Sequence, residues 1–521
     1  MQQSAIPEIQ PLRLLIVGGG TAGWLSALML AWHFRQHQQV QIELVEAPGI
    51  ATIGVGEGST PALTRLLRQL EIAEQDWMPA CQATYKNGIR FSHWSTQPGY
   101  QHYFHPFPSS TDNAELAGFF QRVRSAQLDP RVIVHPDPFF LQTTLAQQGK
   151  APFCQAPAVQ LQYGYHFDAG LLGQCLKKIA IERGIRYRPL TVTTAQCHSD
   201  GAIAQLATAE GVNLQADFYF DCTGFASKLS RQTLGGTFHS YRQMLPNNAA
   251  LTIATAAQQQ PRTQTTATAL RYGWCWQIPL QHRTGNGYVF SRDFISADMA
   301  ETELRQHLGL SEQEGSSRLL TFEAGRLQQH WQHNCLAVGL SQGFLEPLEA
   351  TALYLVQQTV GHFLLHWQQS QYQCRGELGL RSDYNHLING YFDNIADYIV
   401  LHYKTNSRTD SAYWQHNRQL TSISPRLAQL LQCWQSGADL PDLLAELQLE
   451  KYYHSVSWYC LLAGTGSFPA VRLPGHPLSA PTLAQDQQRQ QRWQQLAALC
   501  PLQAEQLAQL AASSQLTAAQ R

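Results

Sequence analysis

Near the N-terminus, Leu12 to Trp32 read LRLLIVGGGTAGWLSALMLAW: a short apolar run stops at three glycines and a helical pattern follows. The order is strand, tight turn, helix. Gly18, Gly20 and Gly23 fit G-x-G-x-x-G, which aims backbone N–H groups and a helix N-terminus at one place where a pyrophosphate could sit. A second strand, QIELVEA, puts Glu46 at its end, where a carboxylate accepts from ribose hydroxyls. The acid favours an unphosphorylated ribose, as in FAD or NAD.

The chain has 521 residues, enough for two or three packed modules and a large buried cofactor. Charged residues make up only 14% of it, against ~25% in an average soluble protein. With 36 Lys+Arg and 37 Asp+Glu, the formal net charge is -1. Such a chain has no long-range pull on a phosphate backbone or an anionic lipid surface, which excludes electrostatic nucleic-acid binding. Eleven cysteines form no C-x-x-C pair, which predicts reduced core thiols and no metal site. Neither a signal-like start nor a ~20-residue apolar span is present, so a cytoplasmic enzyme or binding protein is expected.

Two later stretches narrow the cofactor. FYFDCTGF (218–225) closes on Asp221 and Gly224, and CLAVGLSQG (335–343) is another apolar strand ending in glycines. Both suit a flavin fold, whereas a plain NAD dehydrogenase completes its sheet earlier, so FAD is preferred. In GWCWQIP (273–279), positions i and i+2 of a strand share a face, which predicts that Trp274 and Trp276 form one flat indole wall beside the flavin.

G-x-G-x-x-G together with W-x-W-x-I-P resembles the flavin-dependent halogenases of the tryptophan halogenase family. The resemblance runs through most of the chain, in VGEGSTP (55–61), TYKNGIRF (84–91), YHFDAGLL (165–172), GFLEPLEAT (343–351) and DYIVLHYKTNSR (397–408). It implies an α/β (α+β) FAD-binding Rossmann-like fold of the flavin monooxygenase type, with a mainly helical substrate-binding module. The expected FAD contacts are Gly18, Gly20, Thr21, Ala22, Gly23, Glu46, Gly343 and Leu348. In such enzymes FADH2 and O2 oxidise a bound halide, chloride or bromide, to hypohalous acid. The protein orients the reactants, excludes water and delivers the halogen.

By the same resemblance, Lys86 is the catalytic lysine, with Tyr85 and Asn87 facing away from it. Its desolvated amine would hydrogen-bond hypohalous acid or become a haloamine. Glu349 of Glu346-Pro347-Leu348-Glu349-Ala350-Thr351 is the active-site carboxylate, which polarises the halogen donor or accepts the ring proton; Glu346 is the weaker candidate. Halide falls to the backbone N–H groups of Thr351 and Ala352. Here the chain departs from the family, having Ala-Thr-Ala where Ser-Thr-Gly is usual, and the added Cβ at Ala352 is expected to disfavour positive φ and alter the pocket.

His105, Pro106 and Phe107 match a stretch that flanks an indole ring in the family, and Tyr452 and Tyr453 stand near the position of a substrate-holding Phe-Trp pair. The implied substrate is an electron-rich aromatic: an indole, a pyrrole, a phenol, free tryptophan or a carrier-bound ring. Residues 1–370 are expected to form a discontinuous FAD module with a substrate-lining insert at about 100–160, and 371–521 a mainly helical substrate-side module. The tail from 483 predicts two helices broken at Pro501, which cap the body or serve a homodimer contact. No second nucleotide loop for NAD(P)H is visible, which implies a separate flavin reductase. The competing readings are an aromatic monooxygenase and a catalytically silent FAD-binding protein.

Overall fold

The run Leu12–Val17 forms the first strand, and its alternation serves two cores at once. Leu14 and Ile16 pack into the main hydrophobic core, whereas Leu15 and Val17 face a smaller cluster with Val192, Ile203 and Leu206. A strand buried on both faces needs this near-continuous apolar sequence. It pairs in parallel with Val40–Val45 on one side and with Phe218–Asp221 on the other. Cys335–Ala337 extends the sheet beyond Phe218–Asp221, and Arg186–Arg188 extends it beyond Val40–Val45. A short antiparallel edge, Trp331–Gln332, completes six strands. Both later apolar stretches therefore belong to the nucleotide sheet, as expected of the Rossmann-like fold. The computed structural model describes residues 11–37, 39–49, 56–129, 132–156, 159–373, 377–469 and 483–520; Val55 of VGEGSTP and Cys374 lie outside them.

The helix Thr21–His33 buries Trp24, Leu25 and Leu28 and packs between the helices Ala169–Glu182 and Ala352–Gln369. Seven strands make a second sheet, in the order Ser317–Thr321, Ala249–Ala256, Arg283–Phe290, Gly273–Pro279, Thr265–Leu270, Gly88–Ser92 and His102–Pro106. A small sheet of Gly56–Gly58, Gly164–Asp168 and Thr84–Lys86 joins it. Only Asn87 separates Thr84–Lys86 from Gly88–Ser92, so Lys86 sits where the small sheet hands the chain to the large one. Asn87 secures that corner: its N–H donates to the Thr263 carbonyl, and Nδ2 donates to Thr263 Oγ1 and the Lys150 carbonyl.

After Phe344 the described regular structure is helical. Ala352–Gln369 and the long Leu378–Lys404 lie side by side, followed by shorter helices up to Ser455–Gly464. The two tail helices are Leu483–Ala498 and Gln503–Gln520. The first packs Trp493 and Ala497 against Leu141 and Leu145, and Arg489 Nε donates to the Pro138 carbonyl, so it caps the body within one chain. The ten described cysteines are free thiols, but Cys197 is exposed, which corrects the expectation of a wholly buried set. Among the described residues no helix is long and apolar enough to cross a membrane.

Candidate active site

Steric demands settle the glycine loop. Gly18 has φ 113°, and a Cβ on it would stand 2.1 Å from the Cys222 carbonyl oxygen; one on Gly23 would stand 2.0 Å from the Gly18 oxygen. The turn therefore closes only with glycine at both positions. In front of Gly20, by contrast, a Cβ would meet nothing within 4 Å, and no side chain caps the helix that starts at Thr21. An uncapped helix N-terminus facing open space fits a pyrophosphate. Thr21 offers only its backbone there, because its hydroxyl donates to the Ala169 carbonyl. Ala22 lies against Gly339, where a Cβ would come within 2.8 Å of the alanine methyl. Glu46 closes the far side, with its carboxylate beside Gly19 and its Oε2 accepting from Lys177 Nζ at 3.1 Å. Gly343 and Leu348 are packed against protein, since a Cβ on Gly343 would lie 2.5 Å from the Gly325 oxygen and the Leu348 side chain belongs to the core, so a contact with a cofactor falls to their backbone.

Lys86 is fully buried and its Nζ has no hydrogen-bond partner among the described residues. Burial lowers its pKa to about 7, against a smaller opposite pull from the Glu349 charge. Around the amine stand the Phe107 ring, with its centroid 5.4 Å away, and Gly58, where a Cβ would be 3.2 Å from Nζ. His166 is next to it, hydrogen-bonded to Thr84 Oγ1 and Thr265 Oγ1, and burial, with Lys86 adding to it, holds its pKa well below normal. The neighbours of Lys86 turn away as expected: Tyr85 OH donates to Glu74 at 2.7 Å.

Glu349 is buried on the short turn Pro347–Glu349. Burial alone would raise its pKa, but His105 and His402 outweigh it and hold the carboxyl at about 2. His105 Nδ1 lies 3.2 Å from Oε2, and His402 Nε2 is 3.0 Å from Oε1, an ion-pair contact without the alignment of a hydrogen bond. The other nitrogen of His402 contacts the Tyr398 carbonyl at 3.0 Å. His105, expected beside the substrate ring, is thus also half of a clamp on the carboxylate. The other half was not anticipated, although His402 stands within the quoted DYIVLHYKTNSR.

Glu346 is committed elsewhere. Its Oε2 accepts from Trp274 Nε1 at 2.8 Å, from Asn247 Nδ2 at 3.0 Å and from Tyr403 OH. This bond fixes the Trp274 indole. The two tryptophans share a face of Gly273–Pro279, but their rings are tilted by 56° with centroids 6.0 Å apart, so the expected flat wall is a folded one. The reason is local: Trp276 lies across Gly287, where a Cβ would stand 2.0 Å from its ring, while Trp274 is turned toward Glu346.

The Thr351 and Ala352 N–H groups begin the helix Ala352–Gln369, no side chain caps it, and neither donates to a protein acceptor among the described residues. Positive φ falls on Ala350, at 55°, rather than on Ala352. The conformational objection to alanine at 352 therefore lapses, and only its extra methyl remains.

Of the two tyrosines expected to hold the substrate, Tyr453 stacks on Tyr398 at 3.8 Å and 13°, and Tyr452 meets Tyr391 edge to face at 4.9 Å. Pro106 ends the strand His102–Pro106, which carries His105 to Glu349. The hydroxyls of Tyr103 and Tyr453, Trp276 Nε1, Lys86 Nζ and Glu346 Oε1 are all buried without a hydrogen-bond partner among the described residues. Polar atoms are not normally left this way in a finished core. Lys86, Tyr103 and Tyr453 each sense the Glu349 charge, so these atoms gather about that carboxylate and mark a chamber suited to a polar guest.

The profile of the tryptophan halogenase family matches residues 13–478. The chain is 33% identical over 495 residues to the 7-chloro-L-tryptophan 6-halogenase KtzR of Kutzneria sp. (strain 744), covering 88% of this chain and 91% of that one. It is 32% identical over 501 residues to the tryptophan 6-halogenase SttH of Streptomyces toxytricini, covering 91% and 93%. The solved structure of BrvH, a flavin-dependent halogenase from Brevundimonas sp. BAL3, superposes with a TM-score of 0.81 at 28% identity, over 96% of this chain and 100% of that chain. The chain belongs to the tryptophan halogenase family of flavin-dependent enzymes.

Proposed function

We propose that this enzyme uses FADH2, O2 and chloride or bromide to place a halogen on an electron-rich aromatic ring of the indole class, with Lys86 delivering it. The observation that carries this reading is the buried, unpartnered Lys86 amine facing the charge of a doubly clamped Glu349. Gly18, Gly20, Gly23, the N–H groups at Thr21 and Ala22, and Glu46 are the residues suited to hold FAD. When bound and reduced, FAD supplies with O2 the oxidising equivalents that turn halide into hypohalous acid. A separate reductase provides the reduced flavin.

Thr351 and Ala352 offer two backbone donors to the halide. Trp274 and Trp276 keep the aromatic substrate apart from the cofactor, so the small oxidant travels instead. At Lys86, the protonated amine hydrogen-bonds hypohalous acid, or the neutral amine exchanges one N–H for N–halogen and releases water. The aromatic carbon then takes the halogen as the O–halogen or N–halogen bond breaks, water leaving from hypohalous acid protonated by the Lys86 ammonium or the Lys86 amine leaving from its protonated haloamine, and the Glu349 carboxylate accepts the proton that leaves the ring. An anion held at a pKa of about 2 is ionised at any working pH and suits charge stabilisation of the cationic ring as well. His105 and His402 position it. Phe107, Pro106, Tyr452 and Tyr453 supply the aromatic and apolar surface for the ring.

KtzR and SttH are named for indole-bearing substrates, and the same ring system is assigned here. The test is a library of indoles, tryptophan, pyrroles and phenols, incubated with reductase, O2 and each halide, and read by the isotope pattern of products. Halogenated indoles are expected. Oxygenated products without halogen would overturn the reading.

A further inference from the structure

The helices Thr21–His33, Pro61–Gln69 and Ala352–Gln369 enclose a groove of about 740 Å³. None of the glycine-loop residues, Lys86 or Glu349 lines it. Its volume falls within the ~300–1,000 Å³ of small-molecule sites. Trp32, Leu66 and Leu365 give it apolar walls, and Arg35 and Arg65 give it charge, while no carboxylate among the described residues lines it.

The two arginines are available. Arg35 lies over the Trp32 ring at 4.2 Å and donates to the Trp32 carbonyl, and Arg65 donates to the neutral Gln162 amide; neither pairs with an acid among the described residues. His33 and His362 also face the groove. Burial, reinforced by His37 and Arg35 around the first and by His366 and Lys451 around the second, lowers the pKa of each, so the positive charge rests on the arginines. The floor carries a second sign of an absent guest: Gln357 is nine-tenths buried, and its Nε2 finds no acceptor among the described residues. A donor buried without a partner is unfavourable unless a ligand completes it. Beside it, Gly361 leaves its Cβ direction empty to at least 4 Å, so the floor is recessed there.

We propose that this groove is a second binding site, for a small aromatic anion: a flat ring system bearing one carboxylate or sulfonate. The indole face and leucines take the ring, Arg35 and Arg65 take the charge, and Gln357 donates to an acceptor on the ligand. Two cations in a chain of net charge -1 are too few for a nucleic-acid track, and the concave shape suits a compact molecule. The site is independent of the halogenation assigned to Lys86, so the two can fail separately.

The test is calorimetric titration of the full chain, saturated with FAD to fill the nucleotide site, using the dye 1-anilinonaphthalene-8-sulfonate. N-phenyl-1-naphthylamine serves as its uncharged counterpart. One equivalent of the sulfonate is expected to bind. The double variant Arg35→Ala/Arg65→Ala, both exposed positions, should weaken the sulfonate at least about tenfold and leave the neutral dye nearly unchanged. Gly361→Trp should block both dyes at an unchanged melting temperature. Absence of sulfonate binding would overturn the proposal. So would a sulfonate affinity that neither the arginine pair nor Gly361→Trp alters.

Discussion

At the glycine loop, everything offered to a ligand is backbone, and the residues that offer it lie within six consecutive positions, Gly18 to Gly23. At the Lys86 chamber, side chains predominate, joined by the Thr351 and Ala352 N–H groups, and they come from six separated stretches: Lys86 and its neighbours, His105 to Phe107, Trp274 and Trp276, Glu349 to Ala352, His402, and Tyr453. The first site is defined by what cannot be added, since a methyl on Gly18 or Gly23 would meet backbone at 2.1 or 2.0 Å. The second is defined by what is left unsatisfied, since several of its polar atoms are buried without partners. One region grips; the other is held in tension for chemistry. The contrast makes them separable by mutation.

The largest expected separation is Glu349→Gln, which removes the charge while keeping the shape. Halogenation should fall by about 10²–10⁴-fold with flavin affinity retained, as a general acid–base group of this kind contributes that much. Equal loss of both would make the carboxylate structural and break the contrast. Next is Gly23→Ala, where the added methyl must displace the turn at a cost of about 1–3 kcal/mol. Flavin titration should show weakened binding by roughly one to two decades, since each ~1.4 kcal/mol is tenfold; an unchanged affinity would show that the loop does not hold the cofactor.

A smaller effect is expected from His402→Ala. Losing one clamp lets burial push the Glu349 carboxyl upward, so activity should fall about tenfold and gain a loss at acid pH separate from any the parent shows around the Lys86 titration. A uniform loss at every pH would point to simple damage instead. Smallest is the pH response of the parent itself. With the Lys86 pKa lowered to about 7, its neutral amine dominates above that pH. If the amine carries the halogen covalently, the rate rises through pH 7 and levels off by about pH 8; a rate that falls over the same interval assigns the hydrogen-bonding route.

How legible each region was follows from the same contrast. The strand, the turn and the helix of the nucleotide loop are local in sequence, and backbone sterics allow little else, so Gly18, Gly20 and Gly23 announce the site. Phe218–Asp221 and Cys335–Ala337 were legible as strands for the same reason, being apolar runs of sheet length. The chamber was legible only through whole motifs that resemble a family, because nothing local tells Lys86 from a surface lysine. What even the motifs withheld were relations between distant side chains. His402 and His105 share Glu349 across more than two hundred residues of chain. The tilt of Trp276 depends on Gly287 in the neighbouring strand, and the positive φ at Ala350 depends on how the turn enters the helix Ala352–Gln369. The strand-free part of the described chain begins before 352, earlier than the helical periodicity from about 370 suggested, because Ala352–Gln369 is apolar enough to read as core.

The central claim, that the cofactor end makes an oxidant and the Lys86 chamber delivers it, is tested most directly with Lys86→Met. This variant keeps the chain's length and apolar stem but removes the amine. Supplied with FADH2, O2, halide and a substrate that the parent halogenates, it should oxidise the flavin at the parent's rate and yield no halogenated product by mass spectrometry. Halogenated product at the parent's rate would contradict the account.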